Sequence, residues 1–202
     1  MTESAARSRG AYAKTAARRQ RIVTAAVEVF AASGYHKGSL RDVAERAGLS
    51  QAGLLHHFPS KVHVIQAVVE WHDEQSARVI ADAVAGGLDP LGALVVLLEH
   101  NERNPELVGL YVLLSAEATA PDHPLHDYFV RRYAGAVARL QARLEGAAGS
   151  GRLRPGVDPA GVARALTALM DGLQVQWLYD RGSVDMAAEL RRYLAPLLVA
   201  DP

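Results

Sequence analysis

Residues 39–61, SLRDVAERAGLSQAGLLHHFPSK, carry start and stop signals for two short helices with only a corner between them. Ser39 stands three residues before Asp42, so its hydroxyl can accept a backbone N–H while Asp42 reaches back, the reciprocal pairing of a capping box. Leu40, Val43, Ala44 and Ala47 then fall at helical spacing and make one apolar face. Gly48 follows directly, where a sharp helix exit uses a residue that tolerates positive φ, and Leu49 plugs the corner. Ser50 caps a second helix from Gln51 to Phe58, and Pro59 stops it because proline cannot continue the ladder. The small Ala44 leaves room for two helices that cross steeply. Two short helices joined by a glycine-containing turn make a helix-turn-helix, an arrangement that can lay its second helix against DNA.

The alternative is an ordinary helical hairpin inside an all-α core, and the charge distribution argues against it. Residues 1–61 hold ten Lys or Arg against four Asp or Glu; residues 62–202 hold the remaining twelve against eighteen, so formal neutrality hides a balance of +6 and −6. The basic portion coincides with the helix-turn-helix, and a basic patch is rewarded by release of counterions from phosphate backbones.

The first 65 or so residues resemble the TetR family of bacterial transcriptional regulators. Arg21-Ile22-Val23, Ala25-Ala26, Phe30 and Gly34-Tyr35 match that family's first helix and its exit. Ser39, Val43-Ala44, Ala47-Gly48, Ser50, Leu54, Phe58 and Ser60-Lys61 match its helix-turn-helix and the start of its fourth helix. The chain departs from the family at Leu55, where Tyr is common, near Gln51-Ala52, where Gly or Lys-Gly is favoured, and near Val62, where Glu is common. The resemblance implies a DNA-binding head, a dimer, and a small-molecule effector held among helices four to eight whose binding moves helix four.

Roles on the expected DNA face follow from side-chain chemistry. Ser39 and Arg41, with the capping Ser50, suit phosphate contacts through hydroxyl, guanidinium and backbone N–H groups. Gln51 can pair bidentately with adenine N6 and N7, while Ala52 and Leu55 can touch thymine methyls. His56 and His57 can meet phosphate, with packing beneath the helix as the alternative for His57. Lys61 resembles the family's phosphate-clamping lysine. Arg7 and Arg9, in an arm over residues 1–13 without apolar periodicity, could reach a minor groove or merely solubilise the chain.

The rest reads as helices throughout. The first runs from about Lys14 to Ser33, the fourth from Ser60-Lys61 to Gly86-Gly87, and others from Asp89-Pro90, Asn104-Pro105, Leu125, Ala160 and Asp185, the last ending at Val199, with residues 149–159 as a loop. The expectation is an all-α fold of about nine helices: an arm over 1–13, a three-helix head over 14–61, and a six-helix effector-binding and dimerisation bundle over 62–202. Leu166, Met170, Leu173, Leu190, Tyr193, Leu194 and Leu197 on the last two helices are candidates for a symmetric dimer interface, with plain monomer core as the alternative. Two recognition helices about 34 Å apart would then read a pseudo-palindrome. Polar or aromatic residues that interrupt apolar faces are candidates for the effector cavity: Trp71, His72, Glu99, His100, Tyr111, Ser115, Glu117, Tyr128, Asp171, Gln174 and Trp177.

Other classes fit less well. The chain has no cysteine, which excludes disulfides and thiolate chemistry. No apolar run approaches the roughly 18 residues of a membrane helix and no apolar leader is present, so a cytoplasmic location is expected. His123 and His126 stand at a metal-binding spacing, but Pro124 places His123 in a loop and no second ligand cluster is evident. No metal, cofactor or catalytic residue is expected. The expected function is a repressor released from operator DNA by a small apolar or aromatic effector; the alternative is a regulator or architectural DNA binder without one.

Overall fold

Helix starts and stops written into the chain decide the architecture. The computed structural model describes residues 2–199, with side chains described from residue 15 onward except at residues 35 and 36. The described residues form nine α-helices and one 3-10 turn: α1 Thr2–Lys37, α2 Leu40–Arg46, α3 Gln51–His57, α4 Lys61–Ala85, α5 Gly92–Glu102, α6 Pro105–Glu117, α7 His126–Gly149, α8 Pro159–Tyr179, α9 Met186–Leu194, then Ala195–Leu197. They fall into two compact units, residues 1–73 and 74–202, and the division lies inside α4 at Asp73.

In the first unit α1 packs on α2 and α2 on α3. Their common core holds Ile22, Ala26, Phe30, Val43 and Leu54, all fully buried, with Val64 and Ile65 from the start of α4 buried as well. Gly34 has φ 75° and ψ 165°, so the last turn of α1 is set off from its body. The helical backbone reaches back to Thr2, twelve residues before the expected start at Lys14. Its alanines at 5, 6, 11 and 13 are strong helix formers, which periodicity alone does not register. The side chains of Arg7 and Arg9, the expected minor-groove reach, lie outside the described residues.

In the second unit α7 packs along α8, α5 and α8 against α9, and α6 against α8. Leu94, Leu98, Leu144, Leu166, Leu190 and Trp177 belong to one buried cluster. Asp side chains set the helix starts: Asp89 accepts from the Leu91 and Gly92 N–H groups at 2.9 and 3.2 Å, Asp158 from Ala160 and Gly161 at 3.1 and 3.0 Å, and Asp185 from Ala188 at 2.7 Å. The last helix ends earlier than expected. Pro196 lacks the N–H that would continue α9, so the chain tightens into a 3-10 turn and then extends. There Val199 donates to the Arg152 carbonyl at 2.8 Å, and Arg154 donates to that of Leu197 at 2.9 Å, which ties the end of the chain to the α7–α8 loop.

Gly38, just after α1, is buried against Phe30: a Cβ there would meet Phe30 ring carbons at 2.5 and 2.8 Å. Phe30 is fully buried and has nowhere to retreat. Gly38→Ala is expected to lower stability by about 1–3 kcal/mol through overpacking, read as a lower urea midpoint with an unchanged slope.

Candidate functional site

The helix pair at residues 39–58 is held by its capping and corner bonds together with the buried Val43, Ala44, Leu54 and Phe58. Ser39 Oγ accepts from the Asp42 N–H at 3.2 Å while Asp42 Oδ2 accepts from the Ser39 N–H at 3.3 Å, completing the capping box. At the other end of α2, Gly48 adopts φ 67°. That geometry lets Leu49 donate to the Ala44 carbonyl at 2.9 Å and Gly48 to that of Glu45 at 3.0 Å, a Schellman exit. Ser50 Oγ then accepts from the Gly53 N–H at 3.1 Å and starts α3. Arg46 of α2 also pairs with Glu28 of α1.

Within α3 only Leu54 is buried. Gln51, Ala52, Leu55 and His56 are exposed, Gly53 and His57 half-buried. Arg41 at the start of α2 is exposed and Ser39 half-buried; Ser50 is exposed. Lys61 is half-buried at the start of α4, its ammonium 5.5 Å from the Phe30 ring centre, and that burial lowers its pKa. Arg19 of α1, which sequence reading passed over, braces the end of α3. It donates from Nη1 to the His57 carbonyl at 3.0 Å and sits 4.2 Å over the Phe58 ring. Partial burial first, then the positive charges of His56, Arg18 and Arg19, hold the His57 imidazole below its ordinary pKa.

A regulatory-protein sequence profile, that of the bacterial regulatory proteins of the tetR family, matches residues 22–68, and the C-terminal profile of BetI-type transcriptional repressors matches residues 91–199. The chain belongs to the TetR family. Proteins of this family are DNA-binding transcriptional regulators that dimerise, and some respond to ligands. The chain is 28% identical to the A-factor receptor protein of Streptomyces griseus over 182 residues, 87% of this chain but only 61% of that receptor's length. A solved structure described as the molecular basis for control of antibiotic production by bacterial hormones shares 31% identity and superposes with TM-score 0.75, covering 90% of this chain and 97% of the other. A TetR-family regulator from Rhodococcus has the same fold at TM-score 0.78 and 24% identity, over 90% of this chain and 98% of its own.

The structure separates the effector candidates of this TetR-family chain by what each side chain touches. Glu99 is committed to helix packing: it pairs with Arg191 of α9. His100 and Ser115 are tied locally, His100 through Asn104, whose Nδ2 donates to its carbonyl at 2.7 Å, and Ser115 by donating to the Val112 carbonyl at 2.9 Å. Glu117 is half-buried at the end of α6. In the first unit His72 is buried with Nδ1 3.6 Å from Asp73 Oδ1, and Trp71 is half-buried. Trp177 is buried in the bundle core with the Arg181 guanidinium 5.2 Å from its ring centre.

The remaining candidates converge. Tyr111 of α6 is buried, its ring centre 5.7 Å from that of Phe129, and Tyr128 meets Phe129 edge-on at 5.5 Å. Arg132 and Tyr133 of α7, absent from the sequence-based candidates, complete the group. The Arg132 guanidinium lies 4.5 Å from the Tyr111 ring centre and 5.7 Å from that of Tyr133. The Tyr133 hydroxyl donates to Asp171 of α8, and Tyr111 acts on Tyr133 in turn. Burial raises the pKa of Asp171 despite the Tyr133 bond and the Arg132 charge, and burial also raises both tyrosines. Gln174, one turn on from Asp171, is buried too.

His123 and His126 are spent on backbone. Leu125 donates to His123 Nδ1 at 3.2 Å, and His126 Nδ1 lies 2.9 Å from the Ala118 carbonyl. Among the described residues no group of three or more His, Asp or Glu is arranged for a metal. Among them, too, no helix is long and apolar enough to cross a membrane.

Four of the expected dimer residues need correction. Leu166, Leu173, Leu190 and Leu194 are 0–5% exposed within one protomer, so they belong to its own core and are not available to a partner. An apolar helical face must be covered, but periodicity does not say by what. Met170, Tyr193 and Leu197 are half-buried.

An acid whose folded pKa is raised adds stability below its unfolded value, and that contribution is lost as pH rises through the folded value. Above the ordinary carboxylate range Asp171 therefore opposes folding. Asp171→Asn is expected to melt higher than the parent at pH 7, with the gap closing toward about pH 4; a gap constant with pH would contradict the burial assignment.

Proposed function

We propose that this TetR-family chain is a dimeric repressor that reads a pseudo-palindromic operator with α3 and leaves it when a small apolar or aromatic molecule occupies the 74–202 bundle. The observation that carries this reading is the polar cluster in the apolar bundle, Tyr111, Arg132, Tyr133 and Asp171, contributed by three helices. Buried aromatic walls with a few placed polar groups are what a small-molecule site uses to fix orientation. A carboxylate kept there against its burial cost fits a functional role better than a structural one. The similarity to a receptor protein supports the same reading.

On the DNA side, Gln51 at the start of α3 is the base reader, with Ala52 and Leu55 against thymine methyls and Ser39, Arg41 and Lys61 on phosphates. Helix α4 runs unbroken from Lys61 to Ala85 and crosses the division between the units. A displacement of its second half on effector binding is thereby carried to the end that adjoins α3, with a coupling of about 1–3 kcal/mol.

The dimer contact we assign to the outward stripe of α8. Ala165, Ala168, Gly172, Val175 and Tyr179 alternate by three and four residues, and Val175 and Tyr179 are 38% and 89% exposed. Such spacing makes a continuous seam along one helix, and small residues let a partner helix approach closely. The outer face of α9 carries Arg191 and Arg192 instead.

Three measurements test this. An apolar compound panel, screened by thermal shift, should contain members that stabilise the protein and weaken its grip on a duplex recovered by genomic selection; Asp171→Asn should bind DNA normally but lose the response. Gln51→Ala should cost about 1–3 kcal/mol on that duplex and leave random-sequence binding unchanged. Val175→Arg should give a folded monomer by light scattering, whereas Leu190→Ala should lose about 2–5 kcal/mol of stability as a core truncation. A panel with no active compound points to a regulator without an effector.

A further inference from the structure

We propose that Arg18 and Arg19 of α1 join His57 of α3 in one seat for a DNA backbone phosphate, and that filling the seat draws a proton onto the His57 imidazole. The proposal rests on the DNA-binding reading and adds residues outside the helix-turn-helix to it. Arg19 is fixed at this place by two contacts, the 3.0 Å bond to the His57 carbonyl and the 4.2 Å stacking over Phe58. Only one of its five N–H donors is used in that bond, so the stacked guanidinium keeps others for a phosphate. Arg18 and Arg19 are both exposed. His56 lies edge-on to His57 with ring centres 5.5 Å apart.

Every charged group acting on His57 is positive: His56 on its own helix, Arg18 and Arg19 on α1. A histidine in the last turn of a helix normally gains from the negative end of the dipole. Here partial burial and the neighbouring cations win, and the free protein favours the neutral imidazole. A cluster of this sign lacks only an anion. A phosphate brought among the two guanidiniums cancels the repulsion and makes the imidazolium the better partner, since a charged donor holds an oxyanion more strongly than a neutral one. Binding then takes up one proton per seat, so affinity rises as pH falls through the histidine range, by up to tenfold per pH unit for each protomer engaged.

The test uses the full chain and a short random-sequence duplex, with affinity measured by fluorescence anisotropy between about pH 6 and pH 8 at fixed salt, then across salt at fixed pH. The parent should bind more tightly as pH falls. His57→Gln should flatten that profile while His56→Gln keeps it. Arg18→Ala should reduce the salt slope by about one per protomer, with circular dichroism confirming the fold. A flat parent profile, an unchanged profile in His57→Gln, or an unchanged salt slope in Arg18→Ala overturns the proposal while the DNA-binding reading stands. A parent that binds no duplex at any pH sinks both.

Discussion

The exit of α2 is the constraint on which the DNA-binding unit depends. A seven-residue helix such as α3 cannot pay for its own nucleation in water, because isolated helices need a dozen residues or more to be even marginal. It buries one side chain, Leu54. What holds it is the burial of Leu54 and of Phe58 just after it, together with the bonds on either side of Gly48 and Ser50 that satisfy the backbone at the corner. That division of labour frees Gln51, Ala52, Leu55 and His56 to face outward. A recognition helix anchored by more of its own side chains would have fewer left to read with.

The same logic explains which parts were legible beforehand. Caps, glycine exits and proline stops act over three to five residues, so Ser39, Gly48 and Ser50 could be read from the chain and do cap or bend as their types require. Assignments that needed partners from distant helices fared worse. Glu99 looked like a pocket acid and is the partner of Arg191, 92 residues away. Leu166 and Leu190 made good apolar faces, but the face was already covered by their own bundle. Arg132 stayed outside the cavity candidates because a cation on a helix is an ordinary surface pattern, and Tyr133 because a tyrosine at helical spacing is ordinarily core; only the approach of Tyr111 and Asp171 from other helices gives them meaning. Arg19 was missed for the same reason, since its contacts lie 38 residues on.

The two units handle charge in opposite ways. In the first unit Arg18, Arg19, Arg21, Arg41 and Arg46 are exposed, where water screens mutual repulsion until a polyanion replaces the water. Around His57 partial burial first, and the neighbouring cations after it, hold the imidazole pKa below its ordinary value. In the bundle a cation and a carboxylate, Arg132 and Asp171, lie half-buried near aromatic rings, where screening is weaker. An exposed cluster answers to salt and to any phosphate backbone.

That contrast bears on how a regulator of this kind can be both stable and responsive. Charged groups drawn in among apolar helices are weak evidence for stability, so the half-buried Arg132 and Asp171 are not what chiefly holds α6, α7 and α8 together. Leu144, Leu166 and Leu173 already supply that cohesion. Asp171 is kept in the bundle although burial pushes its carboxyl above the ordinary carboxylate range, a feature that packing alone does not account for and that is commoner at functional sites than in plain cores.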